Sequence, residues 1–419
     1  MNRPLYFYVF FWGERYRRYF ADLLLRSLLA PGNFPKLERS GGHKFLVCCP
    51  AFDWAEIAHH PAIAAAARHI EVVHVEVEPP PAGHHPVDHM AVGHLHAAAL
   101  CFEAKAYGSL LHPDMVFADG FVTALLRHIA RGTQALMVPA LRLKDQPLFS
   151  LLGLDTRRDG AEPLVLTSRQ VVAASMASLH DEIVECEMDG PRFSTLPNSV
   201  WWRNGKDGLL LHSFTWSPLL IDYGSIPRHE VDGLRGPLPD GDYIARNFPE
   251  GARIAFVDDS DDIVFASWTP AAVGAREHGP SLAQRLPVIG HLLRHALLRR
   301  AYLHYTRDFY PYGDHVKAKG FAVPLKFRSG ADGSWRAVSE ISQREIADAV
   351  GDLFERPLAP ATAWTRMLDR FIPSLRHYET SLRLIGSGRF IMRRLAAALC
   401  GDEAARAWFV GRLRARLGV

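Results

Sequence analysis

Short apolar runs alternate with helical patterns over the first 145 residues. The apolar runs predict strands over Leu5–Trp12, Lys44–Cys49, Ile70–Val77, Leu110–Phe117 and Ala135–Leu143. The segments between them predict helices over Glu14–Leu29, Asp53–His69, Val87–Tyr107 and Phe121–Ala130. Strands that are apolar throughout and separated by helices are typical of a mostly parallel sheet covered on both faces. The chain is therefore expected to be an α/β protein, with ligands beyond the carboxyl ends of the strands.

The pattern changes twice further along the chain. Residues 146–275 contain a helical stretch, Ser168–Val184, and then short strands and turns rich in Trp, Gly, Pro and Asp. Residues 276–419 are mostly helical in pattern and rich in arginine. We therefore predict three regions: an α/β region over 1–145, a mixed α/β region over 146–275 and a helical region over 276–419.

Composition narrows the class of protein. The 419 residues include 48 Lys and Arg against 45 Asp and Glu, and a net charge of only +3 argues against a nucleic-acid partner. The five cysteines form no Cys-x-x-Cys pair, which favours reduced thiols in a cytoplasmic protein. No apolar run is long enough to span a membrane. The apolar start at Pro4–Trp12 continues into charged residues without a small-residue cleavage site, so a buried strand is expected there.

The fourth predicted strand ends in a chemically suggestive segment, Leu110-Leu111-His112-Pro113-Asp114, and a helix follows from Phe121. A carboxylate at that end of a parallel strand lies over the expected ligand site, where it can hold a divalent cation that neutralises a diphosphate. The segment resembles the GT-A class of nucleotide-sugar glycosyltransferases, in which a strand ends in Asp-x-Asp or Asn-Pro-Asp. The resemblance covers about residues 5–145 and elements near 200–262, and it departs from the family at His112.

The resemblance implies roles for further residues. Its donor-binding positions correspond to Trp12, Gly13, Asn33, Asp53 and Asp114, and its cation, Mn²⁺ or Mg²⁺, would be held by Asp114 with His212. Asp232 or Asp242 would serve as the base that deprotonates the acceptor. Each of these residues also has an ordinary structural interpretation. Gly13 and Asn33 are typical of the boundary between a strand and a helix, and Asp53 is typical of a helix cap. Asp114, Asp232 and Asp242 are typical of turns, and His212 is typical of a buried core histidine.

The expected partners are a nucleotide-sugar donor and a glycan or lipid-linked acceptor. Basic helical stretches over 281–307 and 389–416 could rest on the inner face of a membrane, although arginines on solvated helices give the same pattern.

Two other functions stay open. The first is a non-catalytic protein that binds nucleotide sugars or glycans on the same fold, which the non-standard His112 favours. The second is a zinc-dependent hydrolase built on the nine histidines between His59 and His96, whose spacing misses the His-x-His-x-Asp-His pattern by one residue. Dehydrogenases, kinases and α/β-hydrolases are disfavoured because their glycine-rich and nucleophile motifs do not occur.

Overall fold

The computed structural model describes residues 3–81, 86–139, 141–154, 160–234, 241–270, 287–308, 315–330 and 335–354. The strands are β1 Leu5–Phe10, β2 Lys44–Cys49, β3 Glu71–Glu76, β4 Tyr107–Leu111, β5 Met115–Phe117, β6 Ala135–Pro139, β7 Arg142–Lys144, β8 Ser199–Arg203, β9 Gly208–Ser213, β10 Trp216–Asp222, β11 Ile254–Phe256, β12 Phe265–Thr269 and β13 Leu325–Arg328. The α-helices are α1 Glu14–Arg18, α2 Leu25–Leu28, α3 Ala51–Ile57, α4 Pro61–Ala66, α5 Pro86–Glu103, α6 Phe121–Ala130, α7 Asp145–Leu152, α8 Ser168–Ala177, α9 Asp181–Val184, α10 Gly241–Asn247, α11 Pro287–Leu303, α12 His315–Phe321 and α13 Trp335–Phe354.

Seven strands form the main sheet in the order β11-β6-β10-β4-β1-β2-β3. The pairs β1–β2, β1–β4, β2–β3 and β6–β11 are parallel, whereas β10 runs antiparallel to both β4 and β6. The predicted α/β fold with a mostly parallel sheet flanked by helices is confirmed. The sheet is completed by β10 and β11, which come from beyond the first 145 residues.

Burial on both faces explains why the strands are apolar throughout. Along β1, Leu5, Phe7 and Val9 enter one core cluster, and Tyr6 and Tyr8 enter the cluster on the opposite face. The first cluster also takes residues from α2, α4 and α6, and the second takes residues from α5 and α10. Because consecutive strand residues point to opposite faces, a sheet covered on both sides needs an apolar residue at every position.

Two three-stranded sheets lie beside the main one, in the orders β5-β12-β7 and β13-β9-β8. Helices α11 and α13 pack against β8 and β9 through buried residues that include Leu298, Tyr302, Ile346 and Val350. The helical pattern predicted for 276–419 is seen in these two helices, but β13 interrupts it. Residues 355–419, including the basic stretch 389–416, lie outside the described residues.

Several predicted elements are divided in the structure. The run Leu110–Phe117 forms β4 and β5 in different sheets, since Pro113 lacks a backbone N–H for the ladder. The run Ala135–Leu143 likewise supplies β6 to one sheet and β7 to another. Pro61 begins α4 and separates it from α3. A π-helical turn over Tyr19–Leu24 joins α1 to α2.

Candidate functional site

The strand order places a topological switch point between β1 and β4. From β1 the chain proceeds to β2 and β3 on one side, and it then returns to β4 on the other side of β1. Ligands of open α/β sheets bind at such a point, beyond the carboxyl ends of the two strands. The residues that follow β1 are Phe11, Trp12 and Gly13, and those that follow β4 are His112, Pro113 and Asp114.

Gly13 gives the switch point an open stretch of backbone. Its φ of 82° and ψ of 157° belong to a region that residues with a side chain rarely adopt. A Cβ atom added there would meet nothing within 4 Å, so the backbone faces open space. The glycine is therefore required by the backbone conformation, and it leaves room for a ligand to approach the chain.

Asp53 holds this loop in place from the first turn of α3. Its Oδ2 accepts a 2.8 Å hydrogen bond from the Gly13 backbone N–H, and its Oδ1 accepts a 2.8 Å bond from Arg17 Nη1. The side chain of Asp53 is fully buried. Both carboxylate oxygens are used within the protein, so Asp53 supports the position of Gly13, and direct donor binding by Asp53 stays a prediction.

Asp114 lies in the link between the main sheet and the β5-β12-β7 sheet. Burial raises the pKa of its carboxyl to about 6, and the charge of Arg142 on β7 only partly offsets this. Arg142 itself donates a 2.8 Å hydrogen bond to Glu182. A carboxylate that is short of water and weakly compensated by positive charge is suited to a cationic ligand.

An aromatic cluster of Tyr16, Tyr19, Phe149 and Trp268 lies next to Asp114. Ring centroids are 6.1 Å apart for Tyr16 and Tyr19, 5.3 Å for Tyr19 and Trp268, and 5.1 Å for Phe149 and Trp268. Burial and the Asp114 carboxylate raise the pKa of Tyr16, and burial together with Asp145 and Asp114 raises that of Tyr19. The sequence pattern did not indicate this cluster to us, although two tyrosines three residues apart after β1 share one helix face and are a signal for it.

His112 replaces an acidic or amide residue of the GT-A pattern and is neutral here. Burial and the neighbouring His94 lower its pKa to about 3, and the two rings meet edge to face at 6.0 Å. An uncharged imidazole adds no positive charge beside Asp114. Trp12 packs against Phe10 and His89, with centroids 5.2 and 5.6 Å apart.

Asn33 has a structural role in the fold. Its Nδ2 donates to the carbonyl oxygens of Ser27 and Ala118, and its Oδ1 accepts from the Val122 N–H at 3.1 Å. The side chain is fully buried. These bonds tie the segment after α2 to the start of α6, and the donor-binding role of Asn33 stays a prediction without support from its neighbours.

His212 lies on β9, in a different sheet from β4. Its Nδ1 is 2.8 Å from the Phe321 carbonyl oxygen and its Nε2 is 3.4 Å from Ser342 Oγ. Burial lowers its pKa to about 4. Both ring nitrogens face protein partners, and none of the contacts described for His212 is with Asp114. The cation site shared by Asp114 and His212 therefore stays a prediction.

Asp232 and Asp242 lie near each other, around Arg246. Asp242 accepts a 2.7 Å hydrogen bond from Arg246 Nε, and both carboxylates contribute to the raised pKa of that guanidinium. Their segment follows β10, whose last residue, Asp222, pairs with Tyr107 at the amino end of β4. None of the groups found to act on Asp114 belongs to this cluster, so the base role of either residue stays a prediction.

The histidine-rich stretch does not gather a metal site within the described residues. His60 approaches Asp22 at 3.2 Å, His74 stacks on Trp54 and His89 contacts the Glu78 carbonyl oxygen. These partners differ from one histidine to the next. His84 and His85, the first two residues of the motif that suggested a zinc hydrolase, lie outside the described residues.

The basic helix over 287–303 uses its arginines within the protein. Arg294 donates to the Gly190 carbonyl oxygen at 2.6 Å, Arg300 donates to that of Thr195 at 3.2 Å, and Arg299 pairs with Asp352. Membrane contact through this helix stays a prediction. None of the helices in the described ranges combines the length and apolar character needed to cross a membrane.

A cleft of about 680 Å³ lies at the opposite edge of the main sheet, where β1 and β4 begin. Its walls include Arg3, His43, Tyr107, Asp222 and Arg253. Arg3 forms an ion pair with Asp222 inside this cleft. We assign the candidate site to the carboxyl edge, because parallel strands place the switch point there.

Comparison with known proteins gives a weak structural likeness. The crystal structure of S. aureus TarS is similar to part of this chain, with a TM-score of 0.23 and 12% sequence identity. The match covers 35% of this chain and 24% of TarS. No family model and no curated protein matches the chain. A TM-score this low supports no conclusion about fold or activity.

Proposed function

We propose that the protein is a glycosyltransferase of the GT-A type, which moves a sugar from a nucleotide-activated donor to a glycan or lipid-linked acceptor. The observation that carries the proposal is the position of Asp114. This carboxylate follows β4 at the switch point, and the open backbone of Gly13 follows the adjacent parallel strand β1. A nucleotide diphosphate needs to approach the backbone closely, and Gly13 leaves room for this. Its negative charge also has to be neutralised, and Asp114 can hold a divalent cation that does so.

The residues around Asp114 fit a divalent cation. Mg²⁺ and Mn²⁺ take oxygen ligands, and Mg²⁺ is commonly held by one or two carboxylates together with substrate phosphates and water. Asp114 would supply the protein ligand, and neutral His112 would add no competing charge. When bound, the cation would offset the negative charge that develops on the leaving diphosphate.

The aromatic cluster provides a surface for the donor or the acceptor. Tyr16 is 39% exposed and lies at the open side of the cluster, while Trp268 is buried behind Tyr19. Aromatic rings present flat apolar faces with polar edges, which suit stacking against a base or a sugar ring. We expect Tyr16 to contact the bound donor.

Asp145 is a further candidate for the base, beside Asp232 and Asp242. It begins α7 directly after β7, and its carboxylate acts on Tyr19 together with that of Asp114. Direct displacement at the anomeric carbon requires a carboxylate that removes the acceptor proton. Asp145 would take this role while Asp114 holds the diphosphate side of the donor.

A thermal-shift screen tests the proposal. UDP-, GDP-, CMP- and dTDP-sugars would be added with and without Mn²⁺ or Mg²⁺. A ligand at a hundredfold excess over its dissociation constant stabilises the native state by about 2.7 kcal/mol. We expect a shift for one nucleotide class that Asp114→Asn abolishes and that the control variants Asp232→Asn and Asp242→Asn retain. No shift with any donor at millimolar concentration would overturn the proposal.

A non-catalytic binding protein is the second candidate, and His112 favours it. The family pattern has an acidic or amide residue at this position, whereas His112 is a neutral imidazole. Both functions predict a donor-dependent thermal shift, so turnover separates them. A transferase should also hydrolyse its donor slowly, and Asp145→Asn should reduce this hydrolysis while leaving the thermal shift in place.

A further inference from the structure

Helices α11 and α13 bring two imidazoles and a carboxylate to one point, away from the switch point. His295 Nε2 lies 2.6 Å from Glu345 Oε2, and His291 Nε2 lies 3.6 Å from the same oxygen. The two imidazole rings are 4.2 Å apart. Among the residues the structure describes, this is the one group of three or more His, Cys, Asp or Glu ligand atoms that lie within 4.8 Å of one another.

The secondary structure explains why the three side chains converge. His291 and His295 are four residues apart on α11, which places them one above the other on the same helix face. Glu345 comes from α13, which packs along α11. The next contact along the two helices is Arg299 with Asp352, at 2.7 Å between Nη2 and Oδ2. Residue numbers increase in the same direction along both helices, so the helices run parallel. The helical backbones hold the two histidines and Glu345 close to one another.

The separations suit a metal ion with short bonds. Zinc binds imidazole nitrogen and carboxylate oxygen at about 2.0–2.2 Å, so neighbouring ligands in a tetrahedron are about 3.4 Å apart. The His291–Glu345 separation of 3.6 Å is already close to that value. The His295–Glu345 separation of 2.6 Å has to widen by less than about 1 Å, which a small side-chain rotation provides.

A second carboxylate, that of Asp189, interacts electrostatically with this group of side chains. Asp189 is exposed and precedes Gly190, the residue whose carbonyl oxygen accepts from Arg294 of α11. Burial and the Glu345 carboxylate raise the pKa of Asp189, while Arg294 and His291 lower it. Asp189 therefore senses the charges of Glu345 and His291, but the three ligand groups within 4.8 Å of one another are those of His291, His295 and Glu345.

The other histidine–carboxylate pairs are built differently. His60 faces Asp22. His128 shares Asp262 with Arg127, and the fixed positive charge of the arginine already pairs with that carboxylate. Likewise His180 lies 4.0 Å from Glu182, which is paired with Arg142. Two histidines converge on one carboxylate only at Glu345 among the described residues. Two imidazoles and one carboxylate select zinc and related transition ions over Mg²⁺ or Ca²⁺, which prefer all-oxygen sites.

We propose that His291, His295 and Glu345 bind Zn²⁺ or a related divalent transition-metal ion, which joins α11 to α13. The ion would link residues 50 positions apart in sequence and secure the helix pair that covers β8 and β9. Three protein ligands leave one coordination position for water. This proposal is independent of the glycosyltransferase proposal, because the two sites share no residue.

Zinc titration of the full-length chain, freed of metal by chelation, tests the proposal. Isothermal calorimetry would give stoichiometry and affinity, and Co²⁺ absorption would report the ligand field. We expect one ion per chain, a higher thermal midpoint with zinc, and binding at least about tenfold weaker in His291→Gln and Glu345→Gln. His291 is exposed and does not make the shorter bond to Glu345, so His291→Gln leaves the helix packing in place.

Two controls assign the ion to this site. A His59→Gln, His96→Gln double variant changes exposed histidines of the histidine-rich stretch, and Asp114→Asn changes the candidate donor site. Both should bind zinc as the unchanged chain does. The proposal is overturned if the unchanged chain binds no zinc, if His291→Gln binds as tightly as the unchanged chain, or if either control loses the ion.

Discussion

Replacing Asp114 by asparagine should make the folded protein more stable at neutral pH. Burial raises the pKa of this carboxyl from an ordinary 3.8 to about 6, so the ionised form is disfavoured in the folded state. A difference of one in pKa corresponds to about 1.4 kcal/mol, which gives a cost of about 3 kcal/mol for ionising Asp114 at pH 8. Asparagine keeps the size and polarity of the side chain and removes this cost.

The stabilising effect of Asp114→Asn should grow as the pH rises. Between about pH 4 and pH 6 the folded chain holds a proton on Asp114 that the unfolded chain has released, so the stability of the unchanged protein falls as the pH rises. The asparagine variant has no such titration. Its advantage should be about 1.5 kcal/mol at pH 5 and about 3 kcal/mol at pH 8.

Urea unfolding followed by tryptophan fluorescence at pH 5, 6, 7 and 8 measures this difference, since the chain contains nine tryptophans. Asp232→Asn is the matched control, because Asp232 is exposed and is not among the groups that shift the pKa of Asp114. It should change stability little at any of these pH values. An Asp114→Asn variant that is less stable than the unchanged protein at pH 8, or whose advantage does not grow with pH, would refute the reasoning.

Three further substitutions test the surroundings of the switch point. Gly13→Ala should destabilise the fold by about 1–3 kcal/mol because its backbone conformation is strained for alanine. Thermal unfolding measures this, and Gly251→Ala, which also faces open space but lacks a positive φ, should be nearly neutral. Asp53→Ala should cost about 3–5 kcal/mol in urea unfolding, since it removes the buried partner of Gly13 and Arg17. A loss below about 1 kcal/mol would show that the loop does not depend on it. Asn33→Ala should cost about 3 kcal/mol because three hydrogen bonds are lost. An unchanged unfolding midpoint would contradict its structural role.

The sequence alone predicts the helices and strands that depend on the pattern of neighbouring residues. The apolar runs from Leu5 and Lys44 onwards identify parallel strands because both faces of the sheet are buried there. The strand from Glu71 lies at the edge of the sheet and is only partly buried. The order of the strands then places Gly13 and Asp114 at strand ends. These inferences need only periodicity and the positions of glycine and proline, which are properties of neighbouring residues.

Long-range pairing accounts for most of what could not be predicted. His212 lies near the end of an apolar strand, as a ligand would, but the residue whose carbonyl oxygen contacts its Nδ1, Phe321, is 109 positions away in sequence. Asp145 and Tyr19 come together through β7 and the turn after α1, which no local pattern relates. The partner of His291 and His295 lies on another helix, so a histidine pair with ordinary helical spacing gave no signal.

The position of β10 has a consequence for synthesis of the chain. This strand enters between β4 and β6, and it is translated after both of them. Until residue 222 leaves the ribosome, β4 has an open edge and β6, whose other neighbour β11 comes later still, has no partner in the main sheet. Apolar strands with open edges pair readily with other chains. A fragment that ends after β6 should therefore aggregate, whereas one that extends beyond β11 should remain dispersed, and nascent chains of intermediate length should be the species that chaperones retain.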